Sequence, residues 1–409
     1  MAIDVTTISA LIGRYGNKVV HEQANLIAPL INILDKFESG STGMINYKAG
    51  GIDSTSMIAD GGALPVGASR DVAQLSYGPE TVVSVLSIPR VAAKTAVGQA
   101  DGVNLVMEEL ETVGMDLGRQ LGRAFFASRL TPDTNFTTTP GEDGTSMSVA
   151  NPGAFRVGMV VHRVDDQGVV QEAIRITNVA YDDDGFGGTL TLVRGVDDDL
   201  TDATPGDDES LWLRGGKTNT AVALNDISAA ASLYGKAETA DDWSGNLIDA
   251  GGALAMADLR QMSTLIQSRS GITPDCIICA PNVARVIQDL QLGSSSLRRF
   301  GPGEKLDQYG KANSQGANIV AEFEGIPVYA DPNCDADTLF FLNKRFCKLH
   351  EFVKLGLDSD GAEHNSNLSG RSGLLVSTTN LTYDAQFWGS YNLRVPRRNC
   401  HGQVSGITG

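Results

Sequence analysis

Apolar residues recur every three or four positions after Asp101: Val103, Val106, Leu110, Val113, Leu117, Leu121 and Phe125 form one stripe. That period predicts an amphipathic helix over 101–130, with Asp101 as its N-cap. If continuous, it is roughly 40 Å long at 1.5 Å rise per residue. Gly114, Gly118 and Gly122 make a second row at i, i+4 and i+8. Each glycine inside a helix costs up to about 1 kcal/mol against alanine, so the row predicts close approach of a second backbone. A membrane-helix reading of the row fails, because Glu108, Glu109, Glu111, Asp116, Arg119 and Arg123 interrupt the segment.

The same reading extends along the chain. Leu26, Ile27, Leu30, Ile31 and Leu34 have helical spacing within 19–37, and Pro29 predicts two short helices or a kink. From Gly43 to Arg90 the pattern is extended and dense in Gly, Ser and Ala, with strand-like arms such as Thr81–Ile88 and a tip at Ala59–Ala68. A hairpin this long and glycine-rich has little core of its own, and predicts a surface to lie on, a neighbouring subunit above all. Strand alternation dominates 153–214 (157–163, 173–179, 188–194 and 211–213), with turns rich in Asp and Gly between. Helical spacing resumes over Asn219–Ala237 and Ala257–Gln267. An all-β block inside a helix-and-sheet chain reads as an inserted domain.

The last third combines these signals. The apolar strand Asp275–Ala280 runs into a helix opened at Pro281; then come Phe323–Asp331 with Gly-Ile-Pro-Val, an acidic turn, and the strand Thr338–Asn343. The chain closes with Tyr391–Ile407, which contains Arg-Asn-Cys-His-Gly-Gln-Val-Ser-Gly-Ile.

At 409 residues the chain exceeds one ordinary core, so two or three domains or subdomains are expected. A formal charge of −17 argues against wrapping or reading nucleic acid, which requires Lys and Arg at the phosphates. It suits a container wall that does not adhere to an enclosed polyanion, and equally suits solubility through self-repulsion. Five cysteines do not form a disulfide framework, which points to a reducing cytosol. The first residues lack a basic stretch followed by an apolar core, so no signal peptide is expected, and no segment has the apolar length of a membrane span.

Chemical motifs fail on inspection. His21-Glu22-Gln23-Ala24-Asn25 puts Asn where a zincin needs its second His. Gly301–Lys305 lacks the spacing and the hydroxyl residue of a phosphate loop. Cys276, Cys279, Cys347 and His350 make the best metal pattern, but residues three apart on a strand face opposite ways, so these cysteines are read as buried and inert. Phe186 falls where an EF-hand after Asp182 needs its third ligand; Asp197–Asp199 is read as a solvated tip, with weak calcium binding as the alternative.

The succession of strand, Pro and helix, the Gly-Ile-Pro-Val strand with its polar turn and partner strand, and the closing Arg-Asn-x-x-Gly-x-Val-x-Gly-Ile resembles the Hong Kong 97-type major capsid proteins of tailed bacteriophages. The resemblance implies an α+β fold with these parts: an N-terminal arm (1–45), an extended loop overlapping a neighbour (46–88), and a peripheral domain (89–150 and 344–393) with spine helix 101–130. It adds an inserted β domain (151–216) and an axial domain (217–343 and 394–409). Residues 358–371 would face a three-fold contact. It also implies a non-enzymatic shell subunit without cofactors, forming pentamers and hexamers around double-stranded DNA. Expected partners are further copies of the chain, a separate scaffolding protein, a portal protein and, in some members, a decoration protein. No membrane is involved, and the location is the virion capsid after assembly in the host cytoplasm. An encapsulin-like compartment shell with protein cargo, and a cytosolic hydrolase or binding protein without a recognisable motif, are the competing readings.

Candidate intersubunit contacts follow. Asp60, Leu64, Pro65 and Arg70 lie on the loop, and Arg298, Arg299, Arg397 and Arg398 are basic spots in an acidic chain, expected to form ion pairs between subunits. Some relatives join subunits by an isopeptide bond from a loop Lys. Here no Lys occurs from Ala49 to Ala93, so that chemistry is not expected.

Overall fold

A computed structural model describes residues 18–20, 22–23, 28–38, 43–48, 57–58, 60, 62, 72–89, 100–127, 130, 146–149, 152–164, 168–182, 187–194, 210–217, 221–238, 243–293, 319–357, 374–376 and 382–408. Pro29 sits at the start of a single helical turn, α1 (Leu30–Ile33), separate from the helical residues 18–20. Four strands follow: β1 (Lys36–Glu38), β2 (Gly43–Lys48), β3 (Val72–Tyr77) and β4 (Glu80–Pro89). β2 and β3 pair antiparallel from Gly43 opposite Tyr77 to Lys48 opposite Val72. Within the stretch read from sequence as an extended loop, the described arms are therefore these two strands. β4, read from sequence as an arm, instead pairs along its whole length with residues 382–391. The long helix α2 (Ala100–Phe126) packs on β4.

The middle of the chain forms β5 (Ser146–Val149), β6 (Val160–Val164), β7 (Val170–Tyr181), β8 (Gly188–Arg194) and β9 (Ser210–Leu213), an antiparallel sheet of order β5-β8-β7-β6-β9. It begins at Ser146, ahead of the alternation legible from 153. Met147, Phe155, Val161, Ile176, Leu190 and Leu211 are buried in a hydrophobic cluster separate from the main core. Ala124 of α2 and Leu130 also pack on this cluster, so the sheet is tied to the helix that precedes it.

The predicted helix over 219–237 is overturned. Among the described residues of that span only α3 (Leu224–Ala229) is helical; the chain then folds into a two-stranded hairpin, β10 (Ser232–Leu233) and β11 (Lys236–Ala237). Its turn places Tyr234 at φ 53° and Gly235 at φ 76°, the left-handed pair that a tight hairpin favours. Tyr234 is held there by its hydroxyl, which donates to Leu393 O at 2.6 Å and accepts from Val395 N–H at 3.2 Å. Tertiary bonds thus override the helical period.

The last half supplies β12 (Leu247–Ala253), α4 (Met256–Ser270), β13 (Cys276–Cys279), α5 (Pro281–Gly293), β14 (Ile319–Phe323), β15 (Ile326–Ala330) and β16 (Leu339–Leu342). Then come β17 (Lys348–Leu357), β18 (Leu374–Val376), β19 (Thr382–Arg394) and β20 (Gly402–Thr408). A six-stranded sheet runs β12-β20-β16-β13-β15-β14, with β13 parallel to β15 and antiparallel to β16. β13 and β16 are buried at every residue, as their uninterrupted apolar sequences require of central strands. α4 packs against β12 and β20, and α5 against β14 and β15.

A second sheet is centred on β19. β4 lies along one edge of β19; β17 and β18 lie end to end along the other, and β1 extends the sheet as a parallel neighbour of β17. Residues read as an N-terminal arm therefore take part in this subunit's own sheet and core: Leu30, Ile31 and Leu34 are buried and β1 is hydrogen-bonded in place.

Candidate assembly surfaces

Among the described residues, no group of three His, Cys, Asp or Glu side chains is placed to hold a metal, and no helix is long and apolar enough to cross a membrane. The four residues of the best metal pattern point elsewhere. Cys276 Sγ faces Leu342 O and Cys279 Sγ faces Tyr329 O, carbonyls on the two strands flanking β13. Burial pushes both thiols up, and that of Cys347 to about 12. His350 Nδ1 lies 2.8 Å from Tyr77 Oη, and its ring stacks on Phe352.

Buried polar interactions concentrate where three distant segments meet. Arg123 of α2 donates to Asn333 O at 2.9 Å and pairs with Asp335 at 2.5 Å. Beside it Asp331 is fully buried and accepts from Leu30 N–H at 3.1 Å and from Asn333 N–H and Nδ2–H at 2.9 Å. Burial raises the Asp331 carboxyl to about 6 against the lowering effect of these donors and of Arg123. A charged group buried this way is retained where its bonds fix a geometry; here they join α1, α2 and the turn after β15. The sequence shows Arg123 only as a charge interrupting the helix. Its one signal is its position on α2 next to Gly122, the residue whose missing side chain leaves room for Asn333 and Ala28.

The β2–β3 ribbon packs on this chain's own core. Ile45, Tyr47, Leu75 and Tyr77 face inward and are buried, while Met44, Asn46, Gln74 and Ser76 face outward. Tyr47 packs edge-on against Trp243, and Tyr77 against His350 and Phe352. The expectation that the hairpin lies on a neighbour is thus replaced, for its base, by packing on this subunit's core. Farther out, Met57 and Ile58 are exposed. On the sheet of β19, Leu86, Ala385 and Phe387 are buried, while Val83 and Val85 on alternate positions of β4 are about half exposed beside Trp388 and Gln386.

The candidate contact residues part company. Asp60 is exposed in a turn. Leu64, Pro65, Arg70, Arg298 and Arg299 lie outside the described residues, as do 358–371. Arg397 is half-buried, donates to Ser270 O at 3.3 Å and lies over the Phe346 ring. Arg398 is fully buried. Its Nε donates to Ile227 O at 2.6 Å, and one Nη serves Asp226 O and Ala230 O. It therefore serves carbonyls at the end of α3, where a helix leaves most of its last carbonyls without internal partners. The expected ion pair between subunits does not fit Arg398, because its guanidinium is fully buried and its Nε and one Nη are bonded to carbonyls of the same chain.

No known protein-family model matches the chain, and no curated protein does. Solved structures do. The capsid asymmetric unit of cyanophage A-1(L) matches with a TM-score of 0.53 at 11% identity, over 95% of this chain and 94% of that one. The chain has the Hong Kong 97-type capsid fold. Mycobacterium phage Adephagia (TM-score 0.47, 9% identity, 93% and 91% coverage) and the virus-like particle from Pyrococcus furiosus (0.39, 7%, 96% and 98%) are also similar to it. The β2–β3 ribbon, the long α2 helix and the two sheets are the parts from which this fold is built.

Proposed function

We propose that this chain is the major capsid protein of a tailed phage, assembling as pentamers and hexamers into an icosahedral shell around double-stranded DNA. The observation that carries the reading is the end-to-end match to the cyanophage capsid subunit, which leaves almost no part of either chain over. The net charge of −17 suits a wall that leaves packaged DNA free of adhesive contacts. A scaffolding protein and a portal protein complete the proposed assembly, and a decoration protein would bind its outer surface.

The test is the size of the particle. Purified chain, alone and with its scaffolding protein, is fractionated on a sucrose gradient and imaged in negative stain. Closed shells, and nuclease-protected double-stranded DNA in particles from infected cells, are the expected result. A chain that stays monomeric with and without the scaffold would sink the reading, and shells holding protein cargo instead of DNA would turn it into a compartment.

A further inference from the structure

The exposed face of α2 changes its charge along its length. Glu108, Glu109 and Glu111 are exposed in the first half, with Thr112 beside them, and no Lys or Arg precedes Arg119 in the helix. In the second half the face borders a cleft of about 310 Å³, which opens between Asp116–Gln120, the segment 153–160 leading into β6, and the turn after β9. Arg119, Arg156 and Arg214 line this cleft against a single carboxylate, Asp116, which Arg119 already approaches at 3.4 Å. In a chain where acids outnumber bases 49 to 32, the cleft is a local inversion of charge. Glu109 stands close to two full turns before Asp116, so it shares the cleft's side of the helix.

The two halves are not paired within the chain. Among the described residues Arg156 reaches only neutral acceptors, Phe155 O and Tyr181 Oη, each at 3.4 Å, and Glu108, Glu109, Glu111 and Arg214 make no ion pair. Arg119 lies about 15 Å along the axis from Glu109, too far for one. The rim of the cleft has the make-up of a contact surface. Val157 is 65% exposed, and Tyr181, 54% exposed, stands beside Arg156. Tyr and Arg are residue types that carry much of the binding energy where proteins meet.

A helix that is acidic in one half and flanked by cations in the other is complementary to a second copy of itself running the opposite way. Such a contact is isologous, each copy giving its acids to the other's arginines across a two-fold axis. We propose that two copies of this chain meet with their α2 helices antiparallel, Glu108 and Glu109 of each entering the arginine cleft of the other. This rests on the shell reading and names the contact at that surface. Guanidinium forks take carboxylates in bidentate pairs, so the cleft suits glutamates better than apolar side chains.

Charge reversal tests it. Arg156→Glu with Arg214→Glu, and separately Glu108→Lys with Glu109→Lys, should each lower the yield of closed shells about tenfold, because like charges then face each other. The combined set should restore the yield. Unchanged yields, or a combination no better than either pair alone, would overturn the proposal. Thermal unfolding of unassembled subunits checks that each variant folds, and the glutamate pair leaves the cleft itself untouched if the arginine pair fails to fold. A second arm needs no shell. Thr112→Cys places a thiol near the two-fold axis, between Glu109 and Asp116, whereas all five native cysteines are buried. A short bismaleimide should therefore join unassembled Thr112→Cys subunits into dimers and leave the wild-type chain monomeric. Salt and the glutamate reversal should each suppress the dimer; a dimer indifferent to both would overturn the contact. Dimers from a chain that forms no shells would overturn the shell reading and leave the α2 contact standing. No dimer at low salt, whether or not shells form, would overturn the contact.

Discussion

Arg398 shows how one residue's burial decides its role. Its guanidinium is enclosed and donates to three carbonyls around the end of α3. Desolvation lowers its pKa, opposed by Glu238 and Asp226. Arg398→Met keeps much of the volume but strands those carbonyls, and should cost the unassembled subunit about 2–4 kcal/mol, since bonds to charged groups contribute most and orphaned acceptors add a penalty. Chemical denaturation of the subunit measures it. A stable variant that folds normally but assembles poorly would return Arg398 to the subunit surface.

Asp331 and His401 make a matched pair of opposite sign. Burial holds Asp331 at about 6, so the folded chain binds a proton more readily than the unfolded one; this contribution is present below pH 4 and lost as pH rises through 6. Asp226 and Asp337 are raised by burial and act in the same sense. His401, fully buried, accepts from Asn343 N–H through Nδ1 and donates from Nε2 to Phe346 O, a satisfied neutral ring held down at about 4. Its contribution is present above pH 6.5 and lost as pH falls through 4. Each is worth about 3 kcal/mol between pH 7 and 4, at 1.36 kcal/mol per pKa unit. Asp331→Asn should therefore steepen the loss of stability in acid, and His401→Asn should flatten it. Urea midpoints at pH 7, 5.5 and 4.5 decide, and two variants with parallel pH slopes would refute the assignment.

Elements were legible where one period dominated. α2 was expected at 101–130 and runs from Ala100 to Phe126; four of the β block's strands fell within a few residues of their expected positions, and β5 was not anticipated. What stayed hidden was partnership. β4 reads as a strand in sequence, but nothing local says that its partner lies about 300 residues away in β19 rather than across a hairpin. The helical pattern after Asn219 was misleading because Tyr234 is held in a turn by Leu393 and Val395, contacts that no window of sequence contains. The glycine row was the exception, a local signal of a distant contact. A Cβ on Gly114 would lie 3.0 Å from Val20 Cα and from Gln23 Cβ. Backbone cannot yield as a flexible side chain does, so Gly114→Ala should lose about 1–3 kcal/mol to overpacking, more than the roughly 1 kcal/mol that alanine gains in helix propensity. A net rise in subunit melting temperature would mean that residues 18–23 do not rest on α2.

For the whole molecule the question is what would hold copies together in a shell. A loop crosslink needs an amine at the loop's outer reach, and none is present: no Lys occurs between Ala49 and Ala93. Lys48 is the last residue of β2, paired with Val72 at the described limit of the ribbon, and Lys94 lies beyond the end of β4. Adhesion must then come from non-covalent surface, and candidates are at hand in exposed Met57 and Ile58 near the loop tip and in Val83 and Val85 on the outer face of the sheet of β19. Obligate interfaces of roughly 2,000 Å² or more persist without a covalent bond. All five cysteines are buried, so disulfides between subunits are not expected either. Mature particles boiled in detergent, with or without reductant, should run as a single band near 43.2 kDa. A ladder of covalent oligomers that survives reductant would contradict this, and a Lys48→Arg variant that collapses the ladder would identify its source.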